Sequence, residues 1–155
     1  MGVKAVLALS ADSSGNEIPM SNSYFFSVRA AERITSKRVK RVSLWRNGAV
    51  LVHFKNGKIN TIDPLDFQRD FVDFRQRQSR EILLSRITPT LYACKSAAHE
   101  KVYSVVIEPE RLRCNCKDWE IQLEEGLQRP CCKHCYAVLR DLGCNSLQDY
   151  LKMPF

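Results

Sequence analysis

The sequence predicts an α+β protein: an N-terminal antiparallel β-meander with a helix, then a β-hairpin/helix module. Three observations carry this. Asn-Gly occurs twice, as Asn47-Gly48 and Asn56-Gly57, each between short apolar runs. That dipeptide supplies the positive φ values of a tight hairpin turn. Phe67, Phe71 and Phe74 recur at i, i+4 and i+7, the stripe of a helix facing a core. Cys135, Val138, Leu139 and Leu142 repeat a helical spacing near the C-terminus, closed by Gly143 where a C-cap belongs.

The elements follow in chain order. Residues 1–10 read as a first strand, 10–22 as a polar loop, 23–28 as a strand and 30–36 as a short helical turn. Residues 39–45, 49–54 and 58–62 form the meander, with Leu44, Val50, Val52 and Phe54 on its core face. Asp63 is placed to cap the next helix, Pro64 suits its first position, and Asp66 favours its first turn. Ile82, Leu83 and Leu84 continue that helix or begin a second, and Pro89 ends it. Residues 91–95 and 101–107 pair around a polar turn, and 111–116 follow as a strand. A short helix is expected up to Gly126, and Asn145, Ser146 and Asp149 can cap a last turn. The expected division is a basic meander-plus-helix region at 1–88 and a second module at 89–155.

The chain has 155 residues, enough for one domain or two very small ones. No apolar run approaches the ~18 residues of a membrane span. The apolar stretch at residues 5–9 is short for an export signal, and Val6 stands where a myristoylation site wants Ser or Thr. We therefore expect a cytoplasmic protein (or a nuclear one if eukaryotic) with reduced thiols. The net charge of +7 is uneven. Residues 29–58 carry nine bases against Glu32 alone, giving +8. If this chain meets nucleic acid, Arg29, Arg33, Lys37, Arg38, Lys40, Arg41 and Arg46 should carry the electrostatics.

Four residues point to chemistry. Cys114-Asn-Cys116 is followed by fifteen residues and then Cys132-Lys-His134. Three soft sulfurs and an imidazole complete a tetrahedral shell for Zn²⁺. Alternation along a strand would put Cys114 and Cys116 on one face, and a helix start would bring Cys132 and His134 round one corner. Cys131 and Cys135 flank the second pair, so Cys131 could stand for Cys132 or Cys135 for His134. The competing readings are buried packing cysteines, disulfides of a secreted protein, or a redox Cys132-x-x-Cys135 pair. The last lacks the strand of a βαβ unit leading into it. Cys94 and Cys144 read as packing residues, and His53 and His99 as surface residues.

Cys-x-Cys followed by Cys-x-His resembles the SWIM zinc finger, over about residues 90–143. The resemblance implies a β-hairpin feeding the first pair and a helix carrying the second. It implies Cys114, Cys116, Cys132 and His134 as ligands, and recognition of nucleic acid or protein partners. A catalytic zinc keeps a position open for water, whereas four protein ligands close the shell. No His-Glu-x-x-His, phosphate loop or deaminase Glu accompanies the pairs. The expected function is thus non-catalytic. It is binding of DNA or RNA through the basic stretch, or a protein–protein adaptor using the acidic spacer and Trp119.

Overall fold

The computed structural model describes residues 25–45 and 48–153. The strand expected at 1–10, the loop at 10–22, Arg46 and Asn47 lie outside the described residues. Within them the protein is α+β, and chain contacts separate two compact units, Met1–Phe71 and Val72–Phe155.

The first unit opens with α1 (Val28–Thr35). The strand expected at 23–28 is not formed by its described part. Ser27 caps the helix instead, its Oγ accepting from the Ala30 N–H at 3.1 Å. Phe25 and Phe26 then serve as ring contacts, Phe25 stacked on Phe71 at 4.7 Å and Phe26 edge-on to Phe67 at 5.3 Å. The expected meander follows as β1 (Val39–Leu44), β2 (Val50–Phe54) and β3 (Ile59–Ile62), in that spatial order and antiparallel. Gly57, at φ +84°, closes the second hairpin in a conformation most side chains resist. Val50, Val52 and Phe54 alternate into the core with Phe67 of α2 (Pro64–Ser79). Asp63 behaves as expected at the start of α2, its Oδ1 accepting from the Leu65 N–H at 2.8 Å.

The second unit is built on a four-stranded antiparallel sheet in sequential order. Its strands are β4 (Ile82–Thr88), β5 (Leu91–Ser96), β6 (Val102–Glu108) and β7 (Arg111–Cys114). The helix expected from Ile82 is therefore corrected to a strand. Residues 82–84 pair with Ser96, Lys95 and Cys94, and Ile82 is buried in the core. For the same reason the boundary expected after residue 88 falls inside the β4–β5 hairpin, and the chain divides earlier. Three short helices follow: α3 (Lys117–Glu124), α4 (Lys133–Asp141) and α5 (Leu147–Tyr150). Helix α4 lies against β4, β6 and β7, burying Cys135, Val138 and Leu139 against the sheet. Gly143, at φ +76°, ends it. Among the described residues, no helix is long and apolar enough to cross a membrane.

Candidate metal centre

The four predicted donors converge. The ligand atoms of Cys114, Cys116, Cys132 and His134 lie within 4.8 Å of one another, and all four residues are buried. His134 Nδ1 is 3.7 Å from Cys114 Sγ and 3.8 Å from Cys132 Sγ. A tetrahedral zinc with ordinary bond lengths has N···S edges of about 3.6 Å, so these separations fit one ion with little adjustment. The sulfur-rich donor set also suits zinc.

Local structure explains the convergence and corrects one detail. Cys114 ends β7, but Cys116 is not on the strand. Asn115 makes a last pairing with Ser104, its N–H donating to the Ser104 carbonyl and its Oδ1 accepting from the Ser104 N–H at 2.9 Å. The chain then turns, and Cys116 becomes the N-cap of α3. Cys132 is likewise the N-cap of α4, and neither sulfur makes a capping hydrogen bond. Two thiols thus stand where helix dipoles favour negative charge. His134, one residue into α4, is oriented by Tyr103, whose ring lies 4.7 Å away at 33°.

The electrostatics agree with a site made for thiolates. The Cys116 thiol works to hold Cys114 up, but hydrogen bonds from Cys132, Cys135 and His134 bring Cys114 below the ordinary thiol range. Burial opposes ionisation of Cys132, and contacts from Cys116, Cys135 and His134 again lower it. Burial would lower His134, yet the surrounding sulfurs raise it to about 11. All three shifts favour the charged form of the group concerned.

The flanking cysteines lie outside the four-donor group. Cys135 is fully buried beside the cluster, its sulfur 3.6 Å from Cys132 Sγ and 4.0 Å from the Leu112 carbonyl. The four-donor group contains neither it nor Cys131. Burial, then the neighbouring sulfurs, raise the Cys135 thiol well above its ordinary value. Cys94 is a core residue and Cys144 packs on Met153. His53 is half-buried rather than surface-exposed, its Nε2 3.2 Å from Ser43 Oγ across the meander.

Two supporting contacts had no sequence signal. Gln122 is fully buried, and its Oε1 accepts from the Cys131 N–H at 2.8 Å, tying α3 to the second donor pair. Arg75 donates to both oxygens of Asp118, at 2.8 and 3.1 Å, from α2 to the first turn of α3. Trp119, expected as a partner contact, is instead buried, and its Nε1–H donates to the Leu112 carbonyl at 3.0 Å.

Of the predicted basic residues, Arg29, Lys37, Arg38, Lys40 and Arg41 are exposed. Arg33 is committed inside the first unit, where it grips the Asp70 carboxylate at 2.6 Å.

A buried Cys₃His donor set joining a strand end to two helix starts has the make-up of a metal-binding module. Residues 103–143 match the model of the SWIM zinc finger family, about a quarter of the chain, and all four donors fall inside the match. Comparison with curated proteins and with solved structures gives no match.

Proposed function

We propose that this chain is a non-catalytic recognition module. Zn²⁺ held by Cys114, Cys116, Cys132 and His134 fastens the second unit, and the basic surface of the first unit binds DNA or RNA. The observation that carries the nucleic-acid reading is the set of exposed bases Arg29, Lys37, Arg38, Lys40 and Arg41, on α1, the connection that follows it and the edge strand β1. The only acid among residues 29–58, Glu32, turns its Oε1 to the Val39 N–H at 3.1 Å, so it caps backbone close to the bases. Cationic side chains at this density gain affinity by releasing counterions from phosphates. The burial of Trp119 removes the aromatic contact on which an adaptor reading leaned. Seven cysteines without a disulfide among them suit the reducing cytoplasm.

The test is binding of labelled DNA and RNA across a salt series. Log affinity should fall linearly with log salt, at roughly 0.7–0.9 per neutralised phosphate. Charge reversal at Lys37, Arg38, Lys40 and Arg41 should flatten the slope and weaken binding at least about tenfold. Weak binding that ignores both salt and charge reversal would overturn the reading. Metal analysis should give one zinc per chain, and well below one for Cys116→Ser.

A further inference from the structure

Of the two tryptophans in the chain, Trp119 is buried, whereas Trp45 is 45% exposed at the end of the edge strand β1. Its backbone is fixed on both sides. The Trp45 N–H donates to the Ala49 carbonyl at 2.8 Å, which carries the β1–β2 ladder one residue past Leu44. The Trp45 carbonyl accepts from the Gly48 N–H at 2.9 Å. Val42 and Leu44 pack on the core of the first unit. Alternation therefore sends Arg41, Ser43 and Trp45 to the opposite face of the sheet. The register places Leu51 and His53 of β2, and Ile59 of β3, on that same outer face. Arg41 and Ile59 are exposed there.

The charge on this sheet has one sign. Residues 39–62 hold five bases and no acid. Asp63, which follows β3, turns its Oδ1 to the Leu65 N–H at 2.8 Å. A strand rises about 3.3 Å per residue, so Arg41 and Trp45 stand roughly 13 Å apart along β1. An open aromatic face beside cations suits an unpaired base and its phosphates: the base stacks on the ring, and the phosphates meet the charge. A duplex offers no such base, because its bases already stack on one another and unstacking them costs free energy.

We propose that the outer face of the meander binds single-stranded nucleic acid, with Trp45 stacking on a base and Lys40 and Arg41 meeting the phosphates. The assignment rests on the function proposed above and narrows its ligand to a strand with unpaired bases.

The experiment titrates the zinc-loaded full chain with a short single-stranded DNA, the same sequence as RNA, and the DNA duplex, reading tryptophan emission and affinity. Either single strand should quench the emission saturably, the tighter one identifying the sugar. Trp45→Phe should bind nearly as the natural chain does but show no quenching, because buried Trp119 is then the only tryptophan left. Trp45→Ala should weaken single-strand binding about tenfold, the scale of one stacked base, and leave the salt slope unchanged, because no phosphate contact is lost. The duplex should bind Trp45→Ala and the natural chain alike. Single strands that bind without quenching, and as tightly to Trp45→Ala as to the natural chain, overturn the assignment and leave the nucleic-acid reading standing on its salt slope. No binding by any of the three probes removes that reading, and this assignment with it.

Discussion

Stripping the metal should unfold the second unit and spare the first. The four donors are buried, and Cys114, Cys116 and Cys132 are members of the core cluster itself. Removing the ion leaves three sulfurs and an imidazole crowded in the interior with nothing holding them together. Structural zinc contributes about 10–16 kcal/mol to the folding of a small finger. A whole small domain is stable by only about 5–15 kcal/mol. The loss is therefore as large as the total, and at about 1.4 kcal/mol per decade it shifts the folding equilibrium by roughly seven powers of ten or more. The core of the first unit, built from Phe26, Val39, Val50, Val52, Phe54 and Phe67 among others, contains no donor. Hydrogen exchange before and after chelation reads both halves at once. Amides of β5, β6 and α4 should lose protection, and because β4 belongs to the same sheet the loss should begin near Ile82. Amides of β2 should stay protected. Unchanged protection across residues 101–142 after complete zinc removal would refute the argument.

Three further outcomes are expected. Zinc binding at pH 7.5, measured by calorimetry in buffers of different ionisation enthalpy, should release about three protons, because an unfolded chain holds its cysteines near pKa 8.5. In a folded metal-free site the depressed Cys114 and Cys132 would contribute stability above the unfolded thiol value and lose it as pH falls through their lowered folded values. There, His134, raised to about 11, would contribute below about pH 6.5 and lose that contribution as pH rises through 11. Release of His134's proton with none from Cys114 or Cys132 would thus show that the metal-free module stays folded. Gln122→Met removes no ligand but strands the Cys131 N–H, and should weaken zinc affinity about tenfold in competition with a chromogenic chelator. Val52→Ala empties a fully buried site in the first core, costing about 2–3 kcal/mol in denaturant unfolding of that unit, with zinc content unchanged.

The sequence disclosed what local chemistry decides. Two Asn-Gly dipeptides pointed to the meander, Asp63-Pro64 to the start of α2, and Gly143 to the end of α4. The donor quartet was legible because its residue types and spacing are those that one ion asks of its ligands. Distant partners decided the rest. The run Ile82-Leu83-Leu84 is too short for periodicity to separate strand from helix, and only pairing with β5 settles it. Phe25 and Phe26 have strand-like composition, yet Phe71 and Phe67 claim their rings and Ser27 caps a helix. Gln122 and the Arg75–Asp118 pair had no signal at all. Their partners lie nine and forty-three residues away, and polar side chains in an apparently solvated spacer give no hint of burial.

The spacer shows how the metal site and the fold depend on each other. Helix α3 starts at one donor, carries Trp119 back to the Leu112 carbonyl, and ends after two turns at a loop through Gly126, whose φ of +86° reverses the chain. The return path reaches the second pair only because Gln122, one turn along α3, holds the backbone of Cys131. The inward face of α3 therefore sets where Cys132 and His134 arrive, while its outward face, with Glu120, Leu123 and Glu124, is exposed. Metal alone cannot specify that approach, since a tetrahedral ion is indifferent to how its ligands are delivered. The buried amide and indole supply the direction, and on the proposed function the ion would supply the free energy that holds so small a core closed.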